Sequence, residues 1–225
     1  MKQYEFWKNL RMNWYKSLGV KPDNLRFREH KKDELAHYAK AAWDIEYKSP
    51  FGWKECEGIH HRSDWDLSRH QEYSGQDMSY FDEETKEKYI PWVIETSGGV
   101  DRAALFFLID AYAEEGERVV LKLHPKLSPY KVAVFPLLAN KPELVKLARS
   151  IYESLKKQFS AAWDDRGNIG KRYYSQDEIG TPWCVTVDFE SLENDDVTVR
   201  DRDSMKQKRV PIKELTEYFK KQFEN

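Results

Sequence analysis

Glu95 and Ser97 stand two residues apart in the stretch VIETSGGVDR (93–102), with two glycines and an Asp-Arg pair behind them. On an extended strand both would project to the same side, where a carboxylate and a hydroxyl could hold an ammonium group. Gly98 and Gly99 remove side chains beside that spot. The helix expected from about Val100 places Arg102 in its first turn. Unpaired N–H groups and the helix dipole already favour an anion such as phosphate there, and the arginine adds a second cation. Ala103, Leu105, Phe106, Phe107, Leu108, Ile109 and Ala111 make this helix apolar almost all round, which predicts a buried, rigid support for Arg102. The same residues admit a plainer arrangement, in which Glu95 and Arg102 pair with each other and do nothing else.

Upstream, WKECEGIHH alternates along a strand, so Trp53, Glu55 and Glu57 should share one face. Asp44 and Glu46 lie on the neighbouring strand, where an exposed acidic face is the ordinary expectation. His60, His61 and His70 with Cys56 do not make a metal set, because adjacent histidines on a strand point to opposite faces, and no zinc is expected. Cys56 and Cys184 are far apart without CxxC spacing, which argues against a disulfide framework and for two small core residues.

These groups need elements to position them. Tyr4, Trp7, Leu10, Trp14 and Leu18 step by three and four up to Gly19, giving an amphipathic helix. Residues 32–42 read as a second helix. Trp43, Ile45 and Tyr47 then alternate with acids, and Pro50-Phe51-Gly52 turns the chain into the strand carrying Glu55. Ser63 and Asp66 have capping-box spacing for a short helix ending near Gly75. Residues 78–96 read as a hairpin with an acidic tip, DEETKEK. After Gly116 the chain passes Pro125 and Pro129, which places a domain boundary near 124–129.

A chain of 225 residues that is 40% hydrophobic, with eight Trp and thirteen Tyr, can fill a real core and is not disordered. No apolar run is long enough to span a membrane and the N-terminus has no signal-peptide core, so a cytoplasmic location is expected with no membrane partner. A net charge of −2 excludes a globally basic nucleic-acid binder, DNA included, while leaving local basic patches open.

VIETSGGVDR, preceded by FGWKECEGI and followed by LHPKLSPYKVAVFPL and IGKRYYSQDEIGTPWCVTVDF, resembles the C-terminal part of the glycyl-tRNA synthetases, a family of class II aminoacyl-tRNA synthetases. The resemblance covers nearly the whole chain. It implies that residues 94–102 are the third signature motif of the class, that Arg102 is a catalytic residue binding the ATP phosphates, and that Glu95 and Ser97 hold glycine. It also implies that Glu55 serves ATP and its Mg2+. Thr96 stands where the family commonly has Pro, and Gly98 where it has Ala. The first and second signature motifs are missing, and RFREH (26–30) does not supply the second. The chain is therefore expected to be inactive alone. It would be completed by an N-terminal catalytic half or belong to a full-length homodimer, or else be a non-catalytic tRNA-binding or subunit-interaction relative.

The later part resembles the anticodon-binding domain of the glycine, histidine, proline and threonine enzymes. Its own pattern is α/β: a strand at 131–137, a helix at 142–158, a short strand at 161–164, a helical turn around 172–179, a strand at 183–189, a hairpin at 197–210 and a last helix at 212–223. That implies a mixed sheet covered on both faces. Residues 197–213 hold six Lys or Arg against two Asp. Arg200, Arg202 and Lys206 form a basic stripe, and Lys171 and Arg172 add cations beside two tyrosines, a set suited to RNA phosphates and bases. The whole is read as an α/β protein, with the distal part of a class II antiparallel sheet and its helices over 1–124, and a mixed-sheet anticodon-binding domain over 125–225. The expected partners are glycine, ATP and tRNA(Gly).

Overall fold

The computed structural model describes residues 1–224 and divides the chain into two units, Met1–Asp110 and Ala111–Asn225. In the first, the helix predicted at the N-terminus is α1 (Lys2–Ser17), but it is rolled from the expected face. Tyr4, Lys8, Met12 and Tyr15 are buried, while Trp7, Leu10 and Trp14 of the apolar stripe remain partly exposed. The cause lies in the sheet below, where Tyr4 donates to the Ile59 carbonyl and Tyr15 to the Glu57 carboxylate.

That sheet has the order β1 (Leu25–Glu29), β2 (Ala41–Ser49), β3 (Gly52–Ser63) and β6 (Val93–Gly98), all neighbours antiparallel. No helix forms over 32–42. Residues 31–39 run through turns, and Ala41-Ala42 instead begin β2, drawn into pairing with His60 and His61. Between β3 and β6 come α2 (Trp65–Ser74), β4 (Tyr80–Phe81) and β5 (Lys88–Tyr89). The expected capping box is absent: Ser63 has φ 52°, Asp64 is the N-cap, and the Asp66 carboxylate accepts from Arg62. The 78–96 hairpin also separates, since β4 pairs only with β5 and β6 joins β3.

The helix after β6 is α3 (Val100–Ala111). Phe106 and Phe107 are buried, Phe106 stacking on Tyr47, and Asp110 is fixed by Tyr47, Asn24 and the Lys21 amide. Leu105 and Leu108 are nearly half exposed, so the helix is not buried all round.

The second unit opens with the hairpin β7 (Tyr112–Glu115) and β8 (Arg118–Leu121), ahead of the boundary expected at 124–129. Arg118 ties it there by donating to Asp177 and to the Arg202 carbonyl. Next come β9 (Val132–Pro136), α4 (Pro142–Leu155), β10 (Ala161–Trp163), α5 (Ile169–Ile179), β11 (Trp183–Val187), α6 (Phe189–Asn194), β12 (Asp196–Asp201), β13 (Gln207–Pro211) and α7 (Leu215–Glu224). The sheet order is β10-β9-β11-β12-β13, parallel across the first three strands and antiparallel beyond. Alternate residues of the strands are apolar on both sides, so both faces are covered. Val132, Val134, Val185 and Val187 meet Leu144, Ile151 and Phe219, while Ala133, Phe135 and Cys184 meet Ile169 and Tyr173. Among the described residues no helix is long and apolar enough to cross a membrane.

Candidate functional site

Strand register builds the site. Glu95 and Ser97 of β6 lie opposite His60 and Gly58 of β3; Gly58 lies opposite Asp44 of β2, and Asp44 opposite Arg28 of β1. Side chains at these positions share the sheet face opposite α1. Arg26 and Glu46 extend the row on β1 and β2. The acidic strand is thus not an exposed face. Asp44 and Glu46 are both buried, Asp44 accepting from His30 (2.8 Å) and Arg28 (3.3 Å), and Glu46 from Arg26 (2.6 Å). Burying carboxylates is tolerable only with such partners.

Glu55 and Glu57, expected together, are separated by a β-bulge. Glu57 pairs with Ile45 and Glu55 with Glu46, leaving Cys56 as the extra residue. Glu57 is turned under α1, where Arg11 holds it at 2.6 and 3.0 Å and Tyr15 at 2.9 Å. Burial pushes the neighbouring Cys56 thiol up to about 11, so it is no nucleophile. Glu55 stays exposed. Arg102, also exposed, donates through Nη1 to the Glu55 carbonyl oxygen at 3.2 Å, which brings the first turn of α3 to this strand.

Glu95 and Arg102 do not pair. The partner of Glu95 is Arg62, whose Nη1 lies 2.5 Å from Oε2 while its Nε and Nη2 grip Asp66 at 2.7 and 2.8 Å and its guanidinium covers the Tyr38 ring. These two carboxylates hold Arg62 firmly in its charged form. The site therefore has two ends, Glu95, Arg62 and His60 at one and Arg102 with Glu55 at the other. Arg62 and His60 were not among the expected site residues, although continuing the β3 alternation through 58, 60 and 62 would have pointed to them. His60 and His61 do face opposite ways, His61 lying buried against Tyr4 and Trp92. Among the described residues no group of three or more His, Cys, Asp or Glu is placed to hold a metal ion.

In the second unit the basic stripe requires correction. Arg172, Arg200 and Arg202 are buried. Arg172 donates to the carbonyls of Pro136, Asp165, Arg166 and Gly167. Arg200 forms a two-bond fork with Asp177 at 2.9 and 3.0 Å, and Arg202 bonds Asp203 and the Gly180 carbonyl. Guanidinium groups spent in this way are not offered to phosphates. Lys171 and Lys206 are exposed. A cavity of about 350 Å³ in the same unit is lined by Tyr130, Tyr152, Trp163, Asp164, Arg166 and Gln176 among others, with Arg149 stacked 3.8 Å from Trp163.

Residues 131–222, which contain the five-stranded sheet and its covering helices, match the anticodon binding domain family. A mixed-sheet domain of this kind, in one chain with an antiparallel sheet that carries a Glu-x-Ser strand and an Arg-bearing helix, is consistent with the fold of a class II aminoacyl-tRNA synthetase. The chain is 54% identical to a glycine–tRNA ligase of Acetivibrio thermocellus over 98% of its own length and 48% of that relative's. The figures are 54%, 94% and 46% for Geobacillus kaustophilus, and 51%, 98% and 51% for Borreliella burgdorferi. Over nearly its whole length the chain is similar to these glycine–tRNA ligases, and it spans about half the length of these curated relatives.

Proposed function

We propose that this chain contributes the glycine- and phosphate-binding face and the tRNA-binding domain of a glycine–tRNA ligase, completed by an N-terminal catalytic half. The observation that carries the reading is the division of charge on the first unit, with Glu95 bound to Arg62 at one end and Arg102, which pairs with no carboxylate among the described residues, at the other. A zwitterionic amino acid matches the first end, its ammonium on Glu95 and Ser97 and its carboxylate toward Arg62. The polyphosphate of ATP matches Arg102 at the start of α3. Bound Mg2+ would neutralise phosphate charge. A single exposed carboxylate such as Glu55, with no cation on it among the described residues, suits an ion that takes most of its ligands from phosphates and water.

In the reaction, a glycine carboxylate oxygen attacks the α-phosphorus, the bond to the β-phosphate oxygen breaks and pyrophosphate leaves. The terminal ribose hydroxyl of the tRNA then takes the glycyl group and AMP departs. The residues present act by positioning and electrostatics: Glu95 orients the amine and Arg102 offsets triphosphate charge. In the second unit, Lys171 and Lys206 would meet the tRNA backbone, and the cavity walled by Tyr130, Tyr152 and Trp163 suits a stacked base. Without an N-terminal catalytic half the chain should not support glycine-dependent pyrophosphate exchange. Because it spans only about half of its relatives, a second reading is a non-catalytic tRNA-binding or subunit-interaction protein.

The test is ligand affinity and melting temperature of Arg102→Ala and Glu95→Gln. The proposal expects the first to lose ATP and the second glycine, by about tenfold or more, with folding intact. Binding of tRNA with no affinity for ATP or glycine in the parent chain would establish the second reading instead.

A further inference from the structure

His60 sits in the middle of β3, opposite Glu95 on β6 and Ala42 on β2. Its Nδ1 is the one buried side-chain nitrogen or oxygen among the described residues that has no hydrogen-bond partner. The nearest acceptor, Glu95 Oε2, lies 3.9 Å away, beyond hydrogen-bond reach, and is already engaged by Arg62 at 2.5 Å. The ring is not loose. It folds back over Gly58, where an added Cβ would lie 2.7 Å from Cε1, so only glycine at 58 lets the imidazole lie against the sheet. It also meets the His30 ring edge-on at 6.2 Å. An unpaired buried nitrogen costs stability, and a site that keeps one in a fixed orientation has a use for it.

We infer that His60 Nδ1 is a third acceptor for the substrate amine, and that His60 makes the site selective for a primary over an N-substituted amino acid. A primary ammonium has three N–H donors. Glu95 and Ser97, on the same side of β6, provide two acceptors, and His60 Nδ1, which no protein group occupies among the described residues, provides the third in the ring tautomer that leaves it a lone pair. N-methylglycine keeps two N–H groups and must turn a methyl toward one acceptor, leaving a buried polar atom unpaired, which is the condition under which binding sites reject analogues strongly. The inference rests on the proposed glycine site at Glu95.

The test is titration of the full chain, 15N-labelled at histidine, with glycine and with N-methylglycine, following the imidazole nitrogens by NMR. His60→Phe keeps a ring over Gly58 without the acceptor, and Glu95→Gln reports on the underlying site. The expected result is a saturable glycine-induced shift of His60 Nδ1 and a preference for glycine of about tenfold, the size of one charge-assisted hydrogen bond. In His60→Phe that preference collapses. Retention of glycine affinity and preference in His60→Phe, with loss in Glu95→Gln, overturns the role of His60 and leaves the glycine site standing. Glycine binding that ignores Glu95→Gln, or no glycine binding by the parent chain, overturns both. If His60→Phe fails to fold, a parent Nδ1 resonance that glycine leaves unmoved is sufficient to overturn it.

Discussion

Replacing Arg200 with Ala should unfold the second unit at a lower temperature and leave RNA contacts alone. Asp177, the partner of Arg200, is wholly buried, and it is gripped by the Arg200 fork and by Arg118 Nε at 2.8 Å. The Arg200 guanidinium also lies over the Tyr173 ring at 4.8 Å. Removing it strands half the charge of a carboxylate that cannot reach water, a loss of about 3–5 kcal/mol. At about 4 °C per kcal/mol for a unit of this size, the melting temperature should fall by about 12–20 °C. Arg200→Lys keeps the charge but loses the planar fork and should cost about half as much. The assay is calorimetry or circular dichroism on the chain, with tRNA affinity measured across a salt series on the folded protein. A variant within about 0.5 kcal/mol of the parent, whose salt slope falls by about one phosphate contact, would return Arg200 to the RNA surface and refute the burial argument.

Glu57→Gln should destabilise the first unit by about 3 kcal/mol, the low end for a buried pair, because the Arg11 side chain keeps 25% of its surface in solvent; urea unfolding with an unchanged midpoint would contradict it. Burial first, with the N-terminus and Lys40 adding to it, holds His61 below the ordinary histidine range. Its folded pKa is depressed, so its contribution is complete above the unfolded value of about 6.5 and is lost as pH falls from there through the lower folded value. Melting temperature should therefore decline between about pH 7.5 and 5.5, and His61→Phe should flatten that decline when compared in a His124→Gln background, since burial lowers His124 as well.

Local pattern was enough for α1, for the alternation of β2 and β3, for the turn from β6 into α3 that sets Arg102 in the first turn of that helix, and for most elements of the second unit from β9 onward. In each case the signal is a period of 2 or 3.6, or a Gly or Pro stop, carried by neighbours in sequence. The face-sharing of Glu95 and Ser97 follows from the same rule. What the chain could not reveal locally depends on partners far along it. Residues 32–42 have helical composition, but strand pairing of Ala41 and Ala42 with His60 and His61 outweighs that weak preference. Glu55 and Glu57 part because one bulge at Cys56 shifts the side-chain alternation. The basic stripe reads as surface until Asp177, 23 residues before Arg200, is brought beneath it and turns a cation into an internal strut. Glu95 likewise meets Arg62, 33 residues away, and not the arginine seven positions on. Sequence alone determined which side chains alternate and where helices stop, since those depend on backbone geometry within a few residues. Only the tertiary structure decided which charges are left for a ligand, because a charge is free or spent according to what the fold sets within about 3 Å of it.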